Sequence, residues 1–183
     1  MKILLHTCCA PCLMAPYKHL SQEHELTLFW YNPNIQPYRE YLRRLRAFRE
    51  YTRRIGARVI EDLSYPLEEW LYKASILSKK SNVLRCKFCY ADRLFRTALK
   101  ARELGMDAFS TTLLLAPYQK HELVKELGFS IAKKVGVKFH YEDMRRWFDE
   151  SEDMARKAGI YRQGYCGCIF SEADRYWRDK LDF

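Results

Sequence analysis

The sequence lacks long apolar runs, low-complexity segments and internal repeats, and each absence narrows its class. A membrane-spanning helix needs roughly 18 or more consecutive apolar residues, whereas the N-terminal apolar stretch covers only residues 3–5 before His6 interrupts it. So short a stretch is not a signal peptide either. We therefore expect a soluble, cytoplasmic protein with no membrane partner. A chain of 183 residues buries roughly 70% of its unfolded surface and needs no disulfides to fold.

Cysteine is the residue type that stands out. Seven cysteines are an odd number in a chain with no export signal, and cytosolic thiols stay reduced, so metal binding or catalysis is favoured over structural disulfides. The cysteines form three groups: Cys8, Cys9 and Cys12; Cys86 and Cys89; Cys166 and Cys168. Cysteine used as a small core residue would not be confined to such groups.

Three kinds of site are open to these thiols. A structural zinc site takes four thiolates and leaves three cysteines over, and a thioredoxin-like dithiol would use only Cys9 and Cys12. Iron–sulfur ligation needs several thiolates from separate segments. Four are available in Cys86, Cys89, Cys166 and Cys168. Side chains of neighbours in extended backbone point opposite ways, so we expect one of Cys8 and Cys9 to face the cluster and the other a second metal.

The pattern of apolar and turn residues predicts alternating strands and helices. Strands are predicted at 2–6, 25–31, 57–61, 106–112 and 137–141. Helices are predicted from just after residue 12 to about 23, and at 38–55, 66–80, 86–104, 120–135, 145–158 and about 171–181. Such alternation is typical of an α/β fold with a parallel sheet. We expect a single domain, 1–183, with a Cys-bearing helical lobe at about 63–100 and 145–183.

Ligands of parallel α/β sheets bind outside the carboxyl ends of the strands. Three predicted loops follow strands at that edge: 6–12, 32–38 and 113–118. We expect these loops to converge on one site.

Positive charge is the other strong signal. The chain has 32 basic and 23 acidic residues, a net charge of +9, which favours a polyanionic partner. Seven arginines lie between residues 39 and 54, and arginine forks match phosphate oxygens. The residues expected to bind RNA are Arg39, Arg43, Arg46, Arg49 and Arg53. Of the interleaved tyrosines, Tyr38, Tyr41 and Tyr51, we expect core packing more than base stacking.

The motifs HTCCAPC, RCKFCYADRL and YCGCIFSE, in that order, resemble those of the cobalamin-independent epoxyqueuosine reductases of the QueH type. The likeness extends to YNPNIQPYREYLRRL and TTLLLAPYQKHELV, so it spans nearly the whole chain. It implies the reduction of the epoxide of epoxyqueuosine in tRNA to the alkene of queuosine. It also implies a [4Fe–4S] cluster, an additional iron, and a fold similar to the adenine nucleotide alpha-hydrolase domains.

Enzymes with that fold that use ATP carry a glycine-rich loop after the first strand, but residues 6–12 contain no glycine, so we expect no ATP use. Epoxide reduction takes two electrons, which an external donor must supply. The candidate proton donors beside the ligand motifs are His6, Tyr90 and Asp92. The sequence does not fix which thiolate binds which metal. Two other functions stay open, a zinc-stabilised RNA-binding module without redox chemistry and a thiol redox protein.

Overall fold

The computed structural model describes residues 1–177. Its strands are β1 (Lys2–His6), β2 (Glu25–Trp30), β3 (Arg58–Glu61), β4 (Ala108–Thr111) and β5 (Lys138–Phe139). They form one sheet in the order β3-β2-β1-β4-β5, in which every neighbouring pair is parallel. The predicted α/β class with a parallel sheet is confirmed, while the likeness to adenine nucleotide alpha-hydrolase domains stays a prediction.

The helices are α1 (Ala10–Leu20), α2 (Tyr38–Arg54), α3 (Leu67–Lys80), α4 (Asn82–Glu103), α5 (His121–Val135), α6 (Phe148–Lys157) and α7 (Ile169–Tyr176). Short 3₁₀ helices cover Thr112–Leu114 and Met144–Trp147. The predicted end of the last helix, near residue 181, lies outside the described residues, as do the final residues of the predicted lobe. No strand falls between residues 63 and 100, as predicted.

Helix α4 begins four residues before its predicted start at Cys86. The Ser81 hydroxyl accepts a hydrogen bond from the backbone N–H of Val83 at 3.0 Å, and this cap satisfies a donor that the first turn would leave unpaired. Cys86 and Cys89 therefore lie inside a helix, separated by about one turn.

The central strands are covered on both faces. Ile3, Leu4 and Leu5 of β1 have no exposed surface, which is the burial expected of a parallel sheet between layers of helices. Helix α1 packs against α2 and α6, while α4 packs against α3, α5 and the strands β1 and β4. Within residues 1–177, every helix is too short or too polar to span a bilayer.

The strand order places a topological switch at β1. The chain moves from β1 to β2 on one side and later returns to place β4 on the other, so connections diverge above the carboxyl ends of β1 and β4. Crevices of this kind are where open α/β sheets bind ligands. His6 lies in register with Thr111, and the segments that follow these two residues therefore begin side by side.

Candidate metal centre

Cys8, Cys9 and Cys12 lie in this crevice, and we call them the N-terminal thiol group. Their sulfur atoms all lie within 4.8 Å of one another, and no other cluster of potential metal ligands in residues 1–177 is so compact. The Cys8 and Cys9 sulfurs are 3.8 Å apart, so the expectation that the two side chains point opposite ways is wrong. Cys9 is extended as the N-cap of α1, yet the bend at Cys8 turns both side chains to one side.

Hydrogen bonds and burial give the three thiols of the N-terminal thiol group different pKa values. Hydrogen bonds from Cys12, Cys9 and Thr112 lower the pKa of Cys8, and the Thr112 hydroxyl lies 3.3 Å from Cys8 Sγ. Burial raises the pKa of Cys9, and the hydrogen bond to Cys8 raises the pKa of Cys12. One thiolate is thus available first, and binding of a cation would favour loss of the other protons.

The remaining four cysteines line a separate cavity of about 160 Å³. We call them the cavity cysteines: Cys86, Cys89, Cys166 and Cys168. The first two come from α4 and the last two from the segment before α7. Asn34, Tyr90 and Tyr118 also line this cavity, so the 32–38 and 113–118 loops reach it, whereas none of residues 6–12 lines it. The convergence of all three loops on one site stays a prediction. Burial raises the pKa of Cys89.

Helix α2 holds the segment that carries Cys166. The guanidinium of Arg44, which is 2% exposed, donates to the carbonyl oxygens of Cys166 and Tyr165, both at 3.0 Å. Its Nε donates to Glu40 at 2.6 Å. Gly167 has φ +145°, and a Cβ there would lie 3.0 Å from Asn34 Nδ2 and 3.3 Å from Arg44 Nη1. The tight segment therefore needs glycine at this position.

Arg93 is a second buried arginine, and it lies beside the cavity cysteines. Its exposed fraction is 1%, and its Nη2 donates to Cys89 Sγ at 3.2 Å. Burial alone would lower the pKa of Arg93, but the negative charges of Cys89, Cys166 and Cys8 raise it. Neither Arg44 nor Arg93 was predicted from the sequence as a site residue. The available signal for Arg93 was its position one helical turn after Cys89.

Of the predicted proton donors, His6 is the most enclosed. It is fully buried, with Nδ1 2.9 Å from Thr111 Oγ1 and Nε2 3.2 Å from the carbonyl oxygen of Tyr31. A carbonyl only accepts, so Nε2 carries the proton and Nδ1 accepts from the Thr111 hydroxyl. Burial lowers the pKa of His6 to about 4. The ring is therefore neutral at pH 7, with both nitrogens in use.

Tyr90 and Asp92 occupy different surroundings. Tyr90 lines the cavity and donates to Gln119 Oε1 at 2.6 Å, while Gln119 Nε2 lies 3.3 Å from Cys166 Sγ. Burial raises the pKa of Tyr90, so its phenol is protonated. Asp92 accepts from the Tyr31 hydroxyl at 3.4 Å, and burial raises the pKa of its carboxyl group. The structure thus brings Tyr90, but not Asp92, to the cavity wall.

The five predicted RNA-binding arginines are all exposed on α2 or at its start. Arg43 lies over the Tyr161 ring at 3.9 Å, and Arg49 forms a two-pronged ion pair with Glu61 at 2.6 and 2.8 Å. Tyr41 and Tyr51 are buried, as expected, whereas Tyr38 is 51% exposed. Helix α2 follows the loop that contributes Asn34 to the cavity, so this arginine surface begins near the cysteines.

Comparison with known proteins identifies a family that matches nearly the whole chain. The family model described as epoxyqueuosine reductase QueH matches residues 3–174. A relative of that name from Dehalococcoides mccartyi is 36% identical over 177 residues, covering 96% of this chain and 94% of its own. One from Thermotoga maritima is 36% identical, covering 94% and 91%, and one from Staphylococcus aureus is 33% identical, covering 93% and 75%. The chain therefore belongs to the epoxyqueuosine reductase QueH family.

Proposed function

We propose that this chain is a cytoplasmic enzyme that reduces the epoxide of epoxyqueuosine in tRNA to the alkene of queuosine. The observation that carries the proposal is the convergence of four cysteines on one cavity, with Cys166 close enough to the N-terminal thiol group for the charge of Cys8 to act on it. Family membership supports the reaction, since the relatives carry the name of this reductase.

The donor atoms fit the metals that we propose. Metal–thiolate bonds of about 2.3 Å, as in zinc sites, place the sulfurs of a tetrahedral site roughly 3.8 Å apart. In the N-terminal thiol group the Cys8 and Cys9 sulfurs are 3.8 Å apart, and all three sulfurs lie within 4.8 Å of one another. This group suits a single ion, which we propose to be iron. The cavity cysteines surround about 160 Å³ instead. Four soft thiolates around such a space fit a [4Fe–4S] cluster.

The reaction is balanced by two electrons and two protons, which convert the epoxide into the alkene and water. The cavity cysteines would hold the cluster, which would supply electrons one at a time from an external donor, and the N-terminal thiol group would hold an iron that could act as a Lewis acid on the epoxide oxygen. The protein must add a proton to the departing oxygen and exclude bulk water. Both tasks fall to the residues of the cavity wall.

Tyr90 is the proton donor that the geometry favours among the three candidates. It holds a proton at Oη beside the cavity, and Gln119 orients that hydroxyl through a 2.6 Å hydrogen bond. His6 does not line the cavity, and its one ring proton is donated to the carbonyl of Tyr31. The catalytic roles of His6 and Asp92 stay predictions.

We propose that the substrate enters over the arginine surface and Tyr118. Tyr118 lines the cavity and is 83% exposed, so its ring can stack on a nucleobase that has left its own stack. Arg39, Arg43, Arg46, Arg49 and Arg53 would contact the phosphates on either side.

Anaerobic purification followed by iron, sulfide and zinc analysis tests the proposal, together with an assay on tRNA that carries epoxyqueuosine. We expect a brown protein that contains iron and sulfide and forms queuosine with dithionite as reductant. A colourless, zinc-loaded protein that binds tRNA without reducing it would replace the proposal with the zinc-stabilised RNA-binding module. A protein with neither metal, whose thiols cycle between dithiol and disulfide, would favour the thiol redox function.

A further inference from the structure

Arg93 is a cation enclosed among thiols. It is 1% exposed, and within residues 1–177 no carboxylate forms an ion pair with it at 4.0 Å or less. The negative groups that act on it most strongly are Cys89, Cys166 and Cys8. Burying an unpaired charge is costly, and the hydrogen bond from Arg93 to Cys89 Sγ offsets part of that cost.

The hydrogen bonds of Arg93 fix the direction of its guanidinium. Nε donates to the carbonyl oxygen of Cys89 at 3.1 Å, and Nη2 donates to Cys89 Sγ at 3.2 Å. The Thr97 hydroxyl donates to the carbonyl oxygen of Arg93 at 2.7 Å. The planar guanidinium therefore binds both the backbone carbonyl and the sulfur of Cys89. A lysine, which lacks this fork of donors, could make only part of this interaction.

A fixed cation in a water-excluded site favours whichever redox state carries more negative charge. Uptake of one electron from an external reductant adds one negative charge to a centre held by the cavity cysteines. Hydrogen bonds to ligand sulfurs and nearby net charge are among the properties that set the potential of iron–sulfur centres. We infer that Arg93 is a positioning residue that raises the reduction potential of this centre through its charge and its bond to Cys89 Sγ.

Since the centre is the proposed [4Fe–4S] cluster, this role rests on the proposed function. The test compares Arg93→Gln, Arg93→Lys and a control, Arg96→Gln, with the wild type. Arg96 belongs to the same helix but is exposed and pairs with Asp62 at 2.7 Å. Iron and sulfide content is measured first, followed by the midpoint potential in a mediated dithionite titration monitored by electron paramagnetic resonance.

We expect a normally loaded Arg93→Gln protein with a more negative potential, a smaller shift in Arg93→Lys, and the wild-type potential in Arg96→Gln. An unchanged potential in Arg93→Gln overturns the inference, as does an equally large shift in Arg93→Lys. If Arg93→Gln holds no cluster or does not fold, Arg93→Lys decides: restored iron and sulfide support the charge requirement, and equal loss overturns it. A wild type without iron and sulfide contradicts the proposed function itself, so the two failures are distinct.

Discussion

Arg44 Nη1 donates a hydrogen bond to the carbonyl oxygen of Cys166 at 3.0 Å. One arginine of the basic helix α2 thus faces inward, although its neighbours Arg43 and Arg46 are exposed. Glu40 accepts a hydrogen bond from Arg44 Nε, and its two carboxylate oxygens share the single proton of the Tyr161 hydroxyl at 3.1 and 2.9 Å. Helix α2 therefore holds the segment that carries Cys166 with its buried arginine, while its exposed arginines present positive charge to solvent.

Replacing Arg44 with methionine should destabilise the protein and lower its metal content. The change leaves the Glu40 carboxylate buried without its cation, and breaking a buried ion pair typically costs about 3–5 kcal/mol. Denaturant unfolding and iron analysis measure the two effects. Arg46→Met, an equal truncation at an exposed position of the same helix, should change the free energy of unfolding little. Equal stability of the two variants would contradict the bracing role of Arg44.

The two cysteine groups should respond differently to serine. Serine at Cys86, Cys89, Cys166 or Cys168 should remove cluster absorbance, iron and sulfide, because a hydroxyl is a poor ligand for iron–sulfur clusters. Serine at Cys8 or Cys12 should reduce turnover more than cluster content. Lys87→Ser, at an exposed position between two ligands, is the matched control. Loss of all cluster absorbance in Cys8→Ser or Cys12→Ser would show that the division between the groups is wrong.

Reversing charge at Arg43 and Arg46 should weaken tRNA binding without changing metal content. Each lost phosphate contact removes about 0.7 to 0.9 released counterions, so Arg43→Glu with Arg46→Glu should make the log–log salt slope shallower by about one to two units. Affinity measured across a salt series gives the slope.

The control for that experiment is Lys133→Glu with Lys134→Glu. It makes the same change of charge in the last turn of α5, which lies at the opposite edge of the sheet from the cysteines. The control should retain the wild-type slope. If the α2 variant matches the wild type in both affinity and slope, the arginine surface is a solvated face and tRNA binds elsewhere.

His6 should make the metal-free protein less stable in mild acid. Burial lowers its pKa in the folded state from 6.5 to about 4, so the unfolded chain binds the proton first as the pH falls. The stability from the neutral ring is complete above about pH 6.5 and decreases by about 1.4 kcal/mol per unit down to about pH 4. His6→Gln should show a flatter profile in denaturant unfolding between these values. Parallel profiles for variant and wild type would mean that His6 is not held neutral.

The parallel sheet could be predicted from the sequence because its signals are local. The run at residues 3–5 is apolar on both faces, as buried strands are, and each strand is followed by a segment with turn residues or chemistry-bearing side chains. The same rule placed the three loops at one edge. The start of α4 was predicted too late, at Cys86, although Ser81 is the residue that caps the helix. An N-cap depends on one hydrogen bond, which the sequence pattern does not show.

The buried residues of the site could not be predicted from local sequence patterns in this way. Arg44 and Arg46 look alike in the sequence, and only the tertiary position of the segment before α7 makes one of them buried. The facing of Cys8 and Cys9 depends on a single bend, so the expectation from extended backbone failed there. A local sequence pattern does not determine which side chains are buried by distant segments of the chain. It also does not determine the backbone angles of a single residue.

Helix α7 has no fully buried residue, and half of the cavity cysteines lie just before it. Metal bound by Cys89 and Cys166 would cross-link two residues that are far apart in the chain. Closing such a long loop lowers the conformational entropy of the unfolded chain. Metal loading and docking of this segment would then be one cooperative event. A chelator should consequently release the segment before α7 to proteases while the sheet stays folded.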